Sequence, residues 1–502
     1  MAFQCIGIVG GGSMGAGIAQ LCAEAGFQVR LCADDEKAVA IAHQMLARKV
    51  GKGKITQEAA NAAADAIRHV ASLSALTGCD LVIETQLADR ETTQDTLSKL
   101  ERVLAPEAVI ALNTSAHPVS VLARHVEYPQ RIAGLHFFEP APLMRVVEVI
   151  PGLRTAPELV PQLSGFVTGL GHQAVVVRDS PGFVVNHIGR ALLTEGARIV
   201  AENIATPEVV DEVARKQLGL RMGPFELLDL IGLNISLPVM EQLHSDFRHE
   251  PRLRPPAFLA IRVAAGLHGR TTGSSFYTSS ISGGEQSESA ATSEKKSSPA
   301  SNSWPSVWID HSDSDLYQKV LEYLQPTGVK LDRSDVPDSG SLCLITPVGM
   351  DATSYIVAHG LNPQRTIAVD AASGLDSVAV LMAAPGLPAD VKETALSMFE
   401  LAGSAVWIAD SPGFIGQRML AALVNLACDV AQQNVAAPRE LDRLVRTALG
   451  YPYGPLEWGD RFGACRILNV LRAQLKDGDP RDRPTPWLRR RAELGLSLFT
   501  PD

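Results

Sequence analysis

Cysteine is scarce in this chain. Seven residues in 502 (Cys5, Cys22, Cys32, Cys79, Cys343, Cys428 and Cys465) are scattered, odd in number and without any C-x-x-C spacing. That pattern excludes a disulfide framework and a zinc site, and reads as reduced thiols in a cytoplasmic protein. Positive charge is also in deficit, with 45 Lys and Arg against 55 Asp and Glu and a formal charge of −10. A general affinity for nucleic acid or for an anionic membrane is therefore not expected, and any anionic ligand must be met by a local cluster of cations. No uninterrupted apolar run reaches membrane-spanning length, and no basic flank precedes the apolar residues that open the chain. The expectation is a soluble, cytoplasmic protein.

What the chain does have is a repeat. Asp-Ser-Pro-Gly-Phe occurs at residues 179–183 and again at 410–414, an offset of 410 − 179 = 231. The same offset joins Pro207 to Pro438, Pro224 to Pro455, Glu226 to Glu457, Asp229 to Asp460 and Gly232 to Gly463. One structural unit has been used twice. Upstream the offset becomes 234, pairing Arg131 with Arg365 and Pro151-Gly152 with Pro385-Gly386. In that alignment His136 stands opposite Asp370 and Glu148 opposite Met382, while at 231 Asn186 stands opposite Gln417. The chemistry is confined to the first copy.

Apolar strand patterns at residues 3–9, 28–32, 80–84, 109–112, 132–136 and 146–150 alternate with helical patterns. The expected fold is α/β, with an amino-terminal doubly wound parallel sheet. Helical periodicity then dominates to residue 277. Residues 278–303 are mostly Ser, Gly, Ala, Glu, Lys and Thr, which cannot bury enough surface to offset their ordering entropy. The expected domains are therefore a dinucleotide-type domain at 1–182, a helical domain at 183–277, a flexible linker at 278–303, a degenerate α/β segment at 304–409 and a repeated all-α domain at 410–502.

Gly10-Gly11-Gly12-Ser13-Met14-Gly15 fits G-x-G-x-x-G between a strand and a helix. In that setting glycine allows a tight turn and close approach of a pyrophosphate to a helix N-terminus. Gly10, Gly12, Ser13, Met14 and Gly15 are the candidate cofactor-binding residues of a Rossmann-type domain. The acidic residue that would hold the ribose hydroxyls falls at Ala33, with Asp34 one position late. No arginine stands where a 2′-phosphate would be received, which favours NAD over NADP.

Strand ends bring further polar residues to one edge: Glu84, Asn113, Ser115, His136 and, in the next strand, Glu148, with Asn186 on the helix after Pro181-Gly182-Phe183. A lone histidine is more often a satisfied core residue, but the joint pattern resembles the L-3-hydroxyacyl-CoA dehydrogenase family. Residues 10–20, 80–84, 113–115, 134–148, 179–186 and 223–232 carry the likeness. The overall layout is similar to a bacterial subgroup of about five hundred residues, associated with 3-hydroxybutyryl-CoA or 3-hydroxyadipyl-CoA oxidation. The resemblance implies an acyl-CoA thioester substrate oxidised to the 3-oxoacyl-CoA with NAD. It makes His136 the base, Glu148 its orienting carboxylate, Ser115 and Asn186 the groups that hold the substrate oxygens, and Glu84, Asn113 and Asp34 neighbours of the cofactor. Arg48, Lys49, Lys52 and Lys54, the dense basic cluster of the first half, match the family's CoA-phosphate region. No metal is implied. The family's helical domains pair between subunits, so two arrangements are open here: a homodimer, or a pseudo-dimer of the two helical copies within one chain.

The chain departs from the family at Ala33, Ala88, Thr93, Glu139 and Arg145, and in losing a lysine after Arg270. These changes keep two other readings in view: a catalytically weak CoA-thioester or dinucleotide-binding paralogue, and a different NAD-dependent hydroxyacid dehydrogenase on the same scaffold.

Overall fold

Short runs rich in β-branched and aliphatic residues make the first sheet. The computed structural model describes residues 3–86, 89–115, 117–277, 306–375, 377–476 and 478–502, so the expected linker at 278–303 and Ala88 lie outside the described residues. In chain order come β1 (Cys5–Val9), α1 (Ser13–Glu24), β2 (Gln28–Cys32), α2 (Lys37–Gly51), α3 (Gln57–Ala66), β3 (Ile67–Val70), β4 (Leu81–Glu84), α4 (Arg90–Val103), β5 (Val109–Leu112), α5 (Val119–Leu122), β6 (Ile132–Phe137), β7 (Val146–Pro151), α6 (Leu159–Gly169) and β8 (Gln173–Val176). The strands lie in the order β3-β2-β1-β4-β5-β6-β7-β8, with β6 and β7 antiparallel and the other neighbours parallel. Strand order reverses between β1 and β4, where Val9 pairs in register with Glu84. In such sheets ligands bind beyond the carboxyl ends of the strands at this reversal.

The helical pattern that follows forms α7 (Val185–Ala201), α8 (Pro207–Lys216), α9 (Pro224–Ile231), α10 (Leu233–Asp246) and α11 (Ala257–Ala264). Beyond the undescribed segment come β9 (Val307–Ile309), α12 (Ser314–Leu324), β10 (Leu331–Asp332), β11 (Leu342–Ile345), α13 (Ala352–His359), β12 (Thr366–Val369), β13 (Ala379–Met382), α14 (Ala389–Ala402) and β14 (Ala405–Trp407). Their sheet runs β10-β9-β11-β12-β13-β14, again with one antiparallel pair, β12–β13. The last helices are α15 (Ile415–Gln432), α16 (Pro438–Leu449), α17 (Pro455–Phe462), α18 (Ala464–Lys476) and α19 (Pro486–Glu493).

The chain packs as two compact units, residues 1–188 with 430–450 and residues 189–429 with 451–502. In the first unit the Arg178 N–H donates to Val435 O at 2.7 Å. In the second the Ala409 N–H donates to Ile204 O at 2.9 Å. These bonds are copies of each other, because 409 − 178 = 231 and 435 − 204 = 231. The stretch around α16, from the second helical repeat, thus docks beside the first sheet, and the stretch around α8, from the first repeat, docks beside the second sheet.

The repeated pentapeptide has a physical explanation. Asp179 accepts from the N–H groups of Val119 and Ser120 at 2.7 and 2.8 Å, closing the open N-terminus of α5. Asp410 does the same for Ala352 and Thr353 at 2.7 and 3.0 Å, at the start of α13. A carboxylate there satisfies N–H groups that have no partner inside the helix. Gly182 and Gly413, at φ 65° and 78°, turn the chain into the next helix. Phe183 and Phe414 are fully buried. Asp410→Ala should therefore lower the unfolding free energy by about 1–2 kcal/mol, read as a lower urea midpoint; an unchanged midpoint would show that Asp410 does not hold α13.

Candidate functional site

At the reversal of the first sheet the glycines are fixed by close approach. A Cβ on Gly10 (φ 134°) would come within 2.4 Å of Thr85 Oγ1, and one on Gly15 within 2.4 Å of Gly10 O. A Cβ on Gly12 would meet nothing within 4 Å. Gly10 and Gly15 therefore pack the loop against β4, while Gly12, the N-cap of α1, faces open space. No acidic residue stands in the first turn of α1. The loop, Ser13 and Met14 at the helix entry, and the electropositive helix end suit a dinucleotide pyrophosphate. Residues and cofactor therefore fit.

Around this loop the other cofactor candidates differ in setting. Glu84 is 2 % exposed at the end of β4 and accepts the Gln86 N–H at 2.7 Å. Burial pushes its carboxyl up to about 7, against the lowering effect of that hydrogen bond. Asn113 sits one residue past β5, where its Oδ1 accepts the Phe137 N–H at 2.7 Å. Ala33 lies against the loop, 3.2 Å from where a Gly11 Cβ would stand, and its carbonyl meets His69 Nε2 at 2.8 Å. Asp34 is exposed, one residue beyond.

The second group of residues meets at the β6–β7 pair. Antiparallel register sets His136 directly opposite Glu148. Imidazole Nδ1 lies 2.5 Å from Glu148 Oε2, with the two residues 4 % and 0 % exposed. An ionised carboxylate only accepts, so Nδ1 carries the proton and Nε2 is left as the proton acceptor. The other carboxylate oxygen, Oε1, accepts from Val184 N at 3.0 Å and Val185 N at 3.3 Å, at the entry to α7. Phe138 and Phe183 pack on the imidazole with ring centroids at 4.5 and 5.8 Å. Asn186, in the first turn of α7, donates Nδ2–H to Ser115 O at 2.9 Å. His136, Glu148, Ser115 and Asn186 are thus brought together by two strands, one strand-end loop and one helix start.

The basic cluster is divided. Arg48, Lys52 and Lys54 are exposed at the end of α2, whereas Lys49 is engaged by Glu24 at 2.6 Å. Of the altered positions, Glu139 is exposed, so its carboxylate is hydrated away from the buried imidazole. Thr93 is buried and donates its hydroxyl to Asp89 O at 3.0 Å. Residues 223–232 serve packing: Asp211 accepts from the N–H groups of Phe225 and Glu226 at 3.0 and 2.8 Å, and a Cβ on Gly223 would come within 2.2 Å of Asp211 Cγ. Sequence reasoning missed the two rings around His136, the paired amides on Glu148 and the role of Thr85. The pentapeptide was the signal for Phe183 and for the amides that follow it.

At the equivalent place in the second copy, Asp370 is fully buried and accepts from Gln417 Nε2 at 2.9 Å and Ser373 N at 3.1 Å. Gln417 Oε1 in turn accepts the Gly349 N–H at 2.9 Å. Burial raises the Asp370 carboxyl above its ordinary range. Among the described residues this cluster holds no histidine and no carboxylate–imidazole pair. Among the described residues there is no group of three or more His, Cys, Asp or Glu placed to hold a metal ion. No described helix is long and apolar enough to cross a membrane.

Comparison with known proteins agrees with this geometry. Residues 5–180 match the 3-hydroxyacyl-CoA dehydrogenase NAD binding domain, and residues 182–279 and 413–497 both match the C-terminal domain of the same family. The 3-hydroxyadipyl-CoA dehydrogenase of Escherichia coli is 32% identical over 498 residues, covering 98% of each chain. A 3-hydroxybutyryl-CoA dehydrogenase of Bradyrhizobium diazoefficiens is 37% identical over 276 residues, 54% of this chain and 94% of that protein. The crystal structure of an Escherichia coli 3-hydroxybutyryl-CoA dehydrogenase superposes with a TM-score of 0.82 at 31% identity, covering 98% of this chain and 99% of that one. The chain belongs to the 3-hydroxyacyl-CoA dehydrogenase family, NAD-binding oxidoreductases that act on a CH–OH group.

Proposed function

We propose that this chain oxidises short-chain (S)-3-hydroxyacyl-CoA thioesters, of the 3-hydroxybutyryl or 3-hydroxyadipyl kind, to the 3-oxoacyl-CoA. The observation that carries this reading is the buried His136–Glu148 pair at the carboxyl edge of a dinucleotide-type sheet. His136 Nε2 takes the 3-hydroxyl proton. Glu148 holds the ring in the tautomer that leaves Nε2 basic, and it offsets the positive charge that forms on the imidazole. Asn186 and Ser115 hold the substrate oxygens and so fix C3 in place. Phe138 and Phe183 exclude water from the ring. When bound, NAD supplies the acceptor for the hydride leaving C3. Gly10, Gly12, Ser13, Met14 and Gly15 would hold its pyrophosphate, with Asp34, Glu84 and Asn113 around the rest of it. Arg48, Lys52 and Lys54 are the cations available to CoA phosphates, and Lys49 joins them only by leaving Glu24.

Within the same reading the domain spans 1–182, 183–277, 304–409 and 410–502 describe a duplicated chain. Its two helical copies pair in an intrachain pseudo-dimer. The reciprocal bonds Arg178–Val435 and Ala409–Ile204 support that arrangement, since each copy makes the contact that the other makes.

Acetoacetyl-CoA and NADH, followed by the loss of NADH absorbance, test the reaction directly. The wild-type protein should turn over, and His136→Gln should lower kcat by about 10²–10⁴-fold with NADH affinity unchanged. Thioester binding without turnover would leave only a binding protein, and activity surviving in His136→Gln would remove the base assignment. In the second α/β segment, Asp310 to Asp313 (Asp-His-Ser-Asp) follow β9 where glycines follow β1. Calorimetric titration should accordingly give one NADH per chain; two equivalent sites would contradict the asymmetry of the copies.

A further inference from the structure

Two of the scarce cysteines meet in the first unit, at a place that the dehydrogenase chemistry does not use. Cys5 opens β1, and Cys79 lies two residues ahead of β4. Their sulfurs are 3.4 Å apart, within hydrogen-bonding reach of each other. The backbone around them is fixed. The N–H groups of Gln4 and Cys5 both donate to Asp80 Oδ2, at 2.8 and 2.9 Å. The Asp80 N–H returns to Cys5 O at 2.9 Å, and the Cys79 N–H donates to Leu76 O at 3.0 Å. A disulfide bond is about 2.0 Å long, so bonding needs a closer approach of the sulfurs. Side-chain torsions supply that approach while the strands stay paired.

The two thiols differ in ways that suit two successive steps. Cys5 is partly exposed, whereas Cys79 is 2 % exposed. Burial pushes the Cys79 thiol up to about 12, and its hydrogen bond with Cys5 adds to the rise. Cys79 is therefore held protonated and shielded, while Cys5 is the sulfur that a small oxidant reaches first. Arg30 works against the rise at Cys79. Its guanidinium is anchored on Ala75 O and Thr77 O at 2.8 and 2.6 Å, and it favours the thiolate that forms as Cys79 attacks. The pair is also remote from the cofactor loop. Cys5 lies five residues ahead of Gly10 and Cys79 five ahead of Glu84, and five extended residues span about 16 Å.

We infer that Cys5 and Cys79 are a site of reversible oxidation, at which a hydroperoxide converts the pair to a disulfide and is itself reduced. The Cys5 sulfur attacks one peroxide oxygen. An S–O bond forms, the O–O bond breaks, and the other oxygen leaves with the thiol proton as an alcohol or water. The Cys79 sulfur then attacks the sulfur of the Cys5 sulfenic acid. The S–S bond forms, the S–O bond breaks, and the hydroxyl departs as water with the Cys79 proton. The two thiols lose two electrons in all, and the peroxide gains them. Cys79 stops the oxidation at a step that thiols reverse, before Cys5 reaches the irreversible sulfinic acid. The product joins the amino ends of the two strands that flank the reversal of the sheet and leaves their carboxyl edge as it was. The pair thereby protects the dinucleotide-type domain.

Peptide mapping of the full chain after hydrogen peroxide treatment, with free thiols alkylated before digestion, tests this. A peptide pair linked through Cys5 and Cys79 should appear, and dithiothreitol should release it. Thiols counted in unfolded Cys465→Ser, which lacks the exposed cysteine, should fall by two per chain. In Cys79→Ser a dimedone adduct should form at Cys5 and sulfinic acid should accumulate there. In Cys5→Ser, Cys79 should stay a free thiol. The oxidised wild type should bind NADH as the reduced protein does. Absence of the linked pair, a link from Cys5 to another cysteine or to a second chain, or oxidation of Cys79 in Cys5→Ser overturns the site. Loss of NADH binding on oxidation overturns its protective role. The wild-type peptide map and NADH titration decide the matter even if the serine variants do not fold.

Discussion

Both oxygens of Glu148 are committed, and the site depends on how they are divided. Oε2 holds the imidazole of His136, while Oε1 takes two backbone N–H groups at the entry to α7. A buried carboxylate is tolerated only when its lone pairs are met, and here they are met by the two elements that must be aligned. One side chain therefore sets the tautomer of the imidazole and docks the helix that brings Asn186 to Ser115. The antiparallel turn between β6 and β7 makes this possible, because it sets residues twelve apart in sequence directly across from each other. A purely parallel sheet would need a crossover between them.

The duplication shows which features belong to packing and which to chemistry. In both copies an aspartate closes the N-terminus of a short helix, a glycine turns the chain and a phenylalanine fills the core. These parts were kept because each copy needs them to hold a helix beside a sheet. The polar residues diverged. Where the first copy has an imidazole facing Glu148, the second has Asp370 bonded to Gln417 and sealed from water. The feature that first marks this chain, its repeated pentapeptide, thus reports the scaffold and does not report the reaction. Among the described residues the buried carboxylate–imidazole pair lies beside one pentapeptide only.

Much of the first half was legible in the sequence. The strand patterns at 28–32 and 109–112, for example, coincide with β2 (Gln28–Cys32) and β5 (Val109–Leu112). The glycine loop and the strand-end polar residues also point to one edge. Strand β3 was hidden because only Ile67 of its four residues is buried, so no apolar run marks it. The reciprocal docking of the helical repeats was not legible either. Periodicity says which face of a helix is apolar but not which sheet will cover it. Glu139 stands only three residues from His136 in sequence, yet the chain leaves β6 at Phe137 and carries it into solvent. Lys49 was grouped with its neighbours by charge, whereas helix geometry turns it back to Glu24 on α1.

The most direct test of the account is kcat for Glu148→Gln, measured with its NADH affinity. The amide keeps the shape of the carboxylate and removes its charge. The account predicts a fall of about 10²–10⁴-fold in kcat with NADH binding retained, because the imidazolium loses its counter-charge. A kcat within threefold of wild type would contradict it, and would mean that His136 does not depend on the carboxylate 2.5 Å away.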